Sequence, residues 1–134
     1  KTLTNAIQDA TAGMLAFKDA ASAGAIGVAA GLSQKQLEGL ANAAKNASLA
    51  LGRDLTDSFN RLIRGVTKAE PELLDELGII LRLENATTKY AVSIGKTREQ
   101  LNAYERTQAV LNDVLDQAET KFSAIEKLME KKVI

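Results

Sequence analysis

Ser33-Gln34-Lys35-Gln36-Leu37-Glu38-Gly39-Leu40-Ala41-Asn42-Ala43-Ala44-Lys45-Asn46-Ala47-Ser48-Leu49-Ala50-Leu51-Gly52 is the stretch that decides the fold. Ser33 and Gln36 have the S-x-x-Q spacing of a capping box. In it, two side chains satisfy backbone N–H groups that a helix start leaves unpaired. Leu37, Leu40, Ala41, Ala44, Ala47, Ser48 and Leu51 then recur at three and four residues, which is one face of an α-helix. Gly52 stands where a left-handed residue ends such a helix. The spacing predicts a helix over Gln34–Leu51 that is apolar on one side only. It needs other helices to cover that side.

The pattern continues toward the C-terminus. Thr56 is placed to cap the next helix, with Asp57 favourable in its first turn. Leu55, Phe59, Leu62 and Val66 form a buried face, with Ile63 beside them. The opposite face carries Asp57, Arg61, Arg64 and Lys68. The three basic residues are either a grip for an acidic partner or phosphate, or an ordinary solvated helix face. Glu70-Pro71 breaks the pattern, and proline suits a first helical turn. A short helix is predicted from Pro71, with Leu73, Leu74 and Leu77 inward and Gly78 at its end. Ile79-Ile80-Leu81-Arg82-Leu83 is consistent with an extended segment or with a buried helical turn, and periodicity does not separate the two. Asn85 is placed to cap a helix to Ile94 that buries Ala86, Tyr90 and Ile94. Gly95 stops it.

Thr97 and Gln100 repeat the capping-box spacing, and no Gly or Pro follows Arg98. Leu101, Tyr104, Gln108, Leu111, Leu115, Ala118, Phe122, Ile125 and Met129 then alternate by three and four. That is a heptad seam with one polar position, Gln108. Val110, Val114 and Leu128 widen the stripe, which suggests more than one neighbour. A helix from Arg98 to Met129 is roughly 50 Å long, against a radius of gyration of about 14 Å for a compact domain of this size. It is expected to overhang the bundle or to pair with a second copy of the chain.

On the N-terminal side, Leu3, Ile7, Ala10 and Met14 recur at helical spacing, with Leu15 beside them. Ala20 to Leu32 is a run of small residues. The expectation over Thr2–Leu32 is a loosened helix, or one broken near Gly24 and Gly27, because each helical Gly costs up to about 1 kcal/mol relative to Ala. Gly27 and Gly31 form a small-x-x-x-small pair. It points either to tight packing inside a bundle or to contact with a membrane or partner helix. The longest uncharged stretch, between Asp19 and Lys35, has 15 residues. A spanning helix needs roughly 20.

The whole chain has 134 residues, with 22 Ala, 18 Leu and one Pro. Ala and Leu favour helix. Opening at Lys1 inside a helical pattern, it reads as a fragment of a longer protein without a secretory leader. Cys, His and Trp are absent. Disulfides, Cys/His zinc sites and Ser-His or Cys-His nucleophiles are therefore excluded. The 17 basic and 17 acidic residues balance, so the chain lacks the charge footprint of a nucleic-acid binder. Glu70, Glu72, Asp75 and Glu76 are the one acidic cluster that magnesium or acid–base chemistry could use. No Asp-rich loop with ligand spacing accompanies them, and a helix N-terminus explains Glu72 and Asp75. No phosphate-binding glycine motif is present. The reading is therefore non-enzymatic, with no catalytic, cofactor or metal residue.

The expected fold class is all-α, a compact bundle of about five or six helices with a long C-terminal helix carrying the seam. Residues 1–96 make the multi-helix region and residues 97–134 the long helix, as parts of one folded unit. Candidate partner-contact residues are Arg61, Arg64 and Lys68 on the basic stripe, and Leu101, Tyr104, Gln108, Leu111, Leu115, Phe122 and Ile125 on the seam.

The block Ala50 to Ile79, including Leu51-Gly52-Arg53-Asp54-Leu55-Thr56-Asp57-Ser58-Phe59 and Glu70-Pro71-Glu72-Leu73-Leu74, resembles the tail length tape measure proteins of long-tailed phages and prophages. Gly31-Leu32-Ser33, Lys89-Tyr90-Ala91, Gly95-Lys96-Thr97 and Gln108-Ala109-Val110-Leu111-Asn112 extend the likeness over roughly Ala20 to Phe122. The resemblance implies a structural, largely helical protein of the virion tail lumen, present in the host cytoplasm during assembly. It also implies contacts with the tail tube protein, tail assembly chaperones and tail-tip proteins, and roles in tail length, assembly and DNA ejection. Some such proteins carry peptidoglycan-cleaving domains, whose chemistry is not seen here. The punctuation at Gly52, Pro71, Gly78 and Gly95 instead predicts a folded module within such a chain, since a ruler needs unbroken helical rise. Two other expectations stand beside it. One is a membrane-active segment at residues 20–32, used during ejection. The other is a cellular coiled-coil adaptor.

Overall fold

The computed structural model describes the backbone of residues 2–133 and the side chains of residues 2–122. Seven α-helices and one 3-10 turn make up the described residues, with no strand among them. They are α1 (Leu3–Ala10), α2 (Phe17–Ala29), α3 (Gln34–Leu51), α4 (Leu55–Thr67), α5 (Pro71–Asp75) and α6 (Leu83–Ser93). The 3-10 turn Arg98–Gln100 and α7 (Ala103–Val133) follow.

Helix α3 has the predicted bounds. Ser33 Oγ accepts from the Gln36 N–H at 3.2 Å, and Gln36 Oε1 accepts from the Ser33 N–H at 2.9 Å. Gly52 ends the helix at φ +66°, a left-handed conformation that costs glycine little. The chain then turns back at once into α4, so α3 and α4 form an antiparallel hairpin. The cap of α4 is Asp54, whose Oδ2 accepts from the Asp57 N–H at 2.9 Å, rather than Thr56. Asp at an N-cap outranks Thr, and Thr56 lies one residue inside the helix, where it donates to Asp19 of α2.

The N-terminal segment breaks earlier than expected. It turns at Ala12 and Gly13, both at positive φ, while Gly24 and Gly27 lie inside α2. Thr11 causes the break with its side chain. Its Oγ1 donates to the Gln8 carbonyl at 2.8 Å and accepts from the Leu15 N–H at 3.1 Å, and Gln8 Nε2 donates to the Leu15 carbonyl. A threonine that bonds its own neighbourhood competes with helix continuation. The small residues of α2 serve close packing instead. A Cβ on Gly27 would lie 2.4 Å from Leu37 Cδ2, and one on Gly24 would lie 3.0 Å from Ile7 Cδ1. No described helix is long and apolar enough to cross a membrane.

Around α3 the core gathers Ile7 from α1, Leu37 and Leu40 from α3, Phe59, Leu62 and Ile63 from α4, and Leu74 and Leu77 from the α5 region. Leu111 and Val114 of α7 complete it. Helix α7 lies against α3, α4 and α6. It runs in the same direction as α3, with Gln36 bonded to Gln108 and Gly39 facing Leu115. Residues 79–82 are neither helix nor strand. Ile79 and Leu81 are buried while Ile80 and Arg82 are exposed, the alternation of extended chain.

Helix α6 begins at Leu83, with Arg82 rather than Asn85 at its cap. It buries Ala86 and Ala91; Tyr90 is half-buried and Ile94 exposed, against expectation. The C-terminal helix starts at Ala103, not Arg98. The Thr97 capping box closes only a 3-10 turn. Leu101 then extends to bury its side chain, and a second box opens α7. There Asn102 Oδ1 accepts from the Glu105 N–H at 2.8 Å and Glu105 Oε1 accepts from the Asn102 N–H at 3.0 Å. From Ala103 the helix is unbroken for 31 residues.

Candidate functional site

The basic stripe on α4 is divided by its surroundings. Arg61 Nε binds Asp57 Oδ2 at 2.9 Å, one helical turn back, and Arg61 Nη2 reaches Glu76 Oε2 at 3.3 Å. Arg53 joins the same two carboxylates from the α3–α4 corner, at 3.4 Å and 3.2 Å. Two guanidinium groups and two carboxylates thus tie the hairpin to the end of α5. Hydrogen bonding from Arg61 lowers the Asp57 pKa from its ordinary value, and the same bond raises that of Arg61. Arg64 and Lys68 are exposed and carry no ion pair among the described residues. The three residues therefore do not converge: Arg61 braces the fold, and only Arg64 and Lys68 are free cations.

Glu76 spends its charge on that brace. Glu72 stands in the first turn of α5, which Pro71 opens. Among the described residues no group of three or more Asp or Glu side chains is arranged to hold a metal ion.

The seam residues also separate. Leu111 and Phe122 are buried in the core of their own chain, and Leu115 is packed against it. Gln108 is buried and bonded to Gln36, whose Nε2 donates to Gln108 Oε1 at 2.5 Å. The polar seam position thus pairs α7 with α3 of the same chain. Leu101 is buried outside the helix, in the bend before α7. Tyr104 is 53% exposed, with its ring over Gly31, where a Cβ would lie 2.9 Å from Cδ1. The side chains of Ile125, Leu128 and Met129 lie outside the described residues. Val110 and Val114, which widened the stripe in sequence, are fully enclosed.

Two shallow grooves of about 380 Å³ flank α7 on either side of Leu115. Ala86, Tyr90 and Asn112 line one, and Gly39, Asn42 and Ala118 the other. Lys89, Ser93, Asp113 and Asp116 also line the first; there the Ser93 hydroxyl donates to the Tyr90 carbonyl, and Lys89 pairs with Asp116.

Several roles on this surface escape a reading of the sequence. Arg53 belongs to the brace, and so does Glu76, which the sequence shows only as part of an acidic cluster. The i, i+4 spacing of Arg53, Asp57 and Arg61 was a readable sign of part of it. Asn102 and Glu105 carried the N-x-x-E sign of a helix start. Gln117 and Lys121 bond the backbone at Ile80 and Gly78, and no sequence pattern announces such long-range contacts.

No protein-family model matches the chain, and no solved structure matches it. The fold defines the class: an all-α bundle with a long C-terminal helix.

Proposed function

We propose that this chain is a folded structural module of a phage or prophage tail tape measure protein. The observation that carries the reading is where the resembling block falls. Ala50 to Ile79 spans the Gly52 corner, α4, α5 and the buried Ile79. It supplies Phe59, Leu62, Ile63, Val66, Leu74 and Leu77 to one core. The most specific block of the likeness thus coincides with a packing unit.

In this reading the module contributes to tail assembly and length, within the tail lumen and in the host cytoplasm beforehand. The tail tube protein, tail-tip proteins and assembly chaperones would be its partners. The exposed Arg64 and Lys68 and the length of α7 are the features available to them. Pairing of two copies through α7 would not use Leu111 or Phe122, which are buried within the chain. The bundle itself is punctuated and compact, so it would add a fixed body to a ruler and not a proportional length.

The test is an in-frame deletion of residues 34–82 from the full coding sequence, with tail lengths measured by electron microscopy. Loss or misassembly of tails is expected. Normal tails of unchanged length would refute the reading, as would a coding sequence with no tail genes beside it.

A further inference from the structure

Helix α6 is attached differently from the other helices. Its backbone runs close to α7 and the 3-10 turn alone among the described elements, and a groove lies between its Leu83 and Thr87 and Val66 and Thr67 of α4. It buries only two side chains, both alanines. Of these only Ala86 joins the main core; Ala91, Leu101 and Ala109 are buried outside it. Of its larger side chains, Leu83 and Val92 are exposed and Tyr90 is half-buried along the groove with α7. Buried apolar area is the chief attraction between helices, and here it is small.

The segment containing α6 is nevertheless held firmly at both ends. Ile79 and Leu81 are buried just before it and Leu101 just after it. The segment meets these anchors through the extended Arg82 at one end and the 3-10 turn Arg98–Gln100 at the other, with Gly95 inside it tied back to α6 by Lys96 N–H on the Ala91 carbonyl. Two exposed ion pairs clasp the segment to α7: Lys89 to Asp116 at 3.6 Å and Lys96 to Glu105 at 2.8 Å. A third, Arg98 to Glu84 at 2.9 Å, lies within the segment and does not oppose its lifting.

We infer that α6 is a releasable strap. Residues 82–100 swing off α7 as a unit, pivoting between Leu81 and Leu101, while α1–α5 and α7 stay packed. Release uncovers the buried Ala109 of α7 and opens the α6–α7 groove, which Asn112 and Leu115 line with Ala86 and Tyr90. The core is left intact because α6 contributes one alanine to it. The device covers about two turns of α7 around Ala109 until the strap lifts.

Amide hydrogen exchange on the whole chain tests this, because sub-global opening shows as a cooperative unit exchanging ahead of the rest. The amides of α6 are expected to exchange on the order of 100-fold faster than the slowest of α3 and α4, with a shared and weak dependence on urea. Lys89→Cys with Asp116→Cys, joined by a short bismaleimide, ties the strap down. Tethering is expected to slow all α6 amides by roughly tenfold or more relative to the unlinked double variant. The inference is overturned if α6 exchanges as slowly as α3 and α4, or if tethering leaves its rates unchanged, as fraying within the helix would. Added salt in the unmodified chain is an independent arm. Screening the two exposed clasps is expected to speed α6 and leave α3 and α4 unaltered, and an equal response of all three helices overturns it.

Discussion

Replacing Gly65 by Ala in α4 separates packing from helix propensity. Within a helix the change alone favours folding by up to about 1 kcal/mol. Here the new Cβ would lie 2.5 Å from Leu74 Cδ2 and 2.6 Å from Leu74 Cγ. Carbon atoms prefer about 3.5–4.0 Å, so one side must retreat by roughly 1 Å. Leu74 is fully buried and cannot swing into solvent. Overpacking of this kind costs about 1–3 kcal/mol, so the net expectation is a loss of roughly 0–3 kcal/mol. Leu74→Ala alone is expected to cost about 2–5 kcal/mol. In the double variant the methyl introduced at position 65 occupies part of the vacated volume, and the combined loss should fall short of the sum by roughly 1–3 kcal/mol. Gly39→Ala in α3 is the control. Its nearest neighbour would be Leu115 Cδ2 at 3.5 Å, an ordinary contact, so it should stabilise by up to about 1 kcal/mol. The chain has no Trp, so urea unfolding followed by circular dichroism at the helix band is the suitable assay. The reasoning is refuted if Gly65→Ala stabilises as much as Gly39→Ala, or if the double-variant losses add within about 0.5 kcal/mol.

Ser58 is completely buried, and its hydroxyl has no hydrogen-bond partner among the described residues. Ser58→Ala should therefore be neutral or raise stability by up to about 1 kcal/mol, read from the urea midpoint. Gly27→Leu should destabilise by about 1–3 kcal/mol or more, seen as a lower melting temperature, because even its Cβ collides with Leu37. Asp57 and Glu105 have folded pKa values below their ordinary 3.8 and 4.5, through Arg61 and Lys96 first. The stability they add is complete above those ordinary values and is lost as pH falls through the folded ones. The melting temperature should therefore drop on acidification below about pH 4.5, and Asp57→Asn with Glu105→Gln should flatten that drop.

The elements most legible in sequence were those set locally. α3 came out with its bounds because its capping box and its glycine stop act within a few residues of themselves. Pro71 and Gly78 punctuate in the same way. The errors fall where two local signals competed or where a distant partner decided. Asp54 and Thr56 both offered a cap, and the stronger acceptor sits first. Thr97 announced a helix that Asn102 restarts five residues later, since the chain bends between them to bury Leu101. Gly24 and Gly27 looked like breaks because their cost as isolated residues is plain, while the approach of Leu37 and Ile7 is invisible before folding. At the candidate site, the i, i+4 spacings around Asp57 were readable, but the arrival of Glu76 from the end of α5 was not. The seam was legible as a stripe. Its neighbours were not, because periodicity states that a face is covered without saying by what.

One small feature concerns the backbone at Ile80. Ile80 sits in an extended segment with its side chain in solvent, an arrangement that invites another backbone to lie alongside. Gln117 answers both of its polar groups with one amide: Oε1 accepts from the Ile80 N–H at 3.0 Å and Nε2 donates to the Ile80 carbonyl at 2.8 Å. Lys121 occupies the neighbouring Gly78 carbonyl. A long helix thus imitates an adjacent strand beside Ile80, meeting both backbone groups with one side chain.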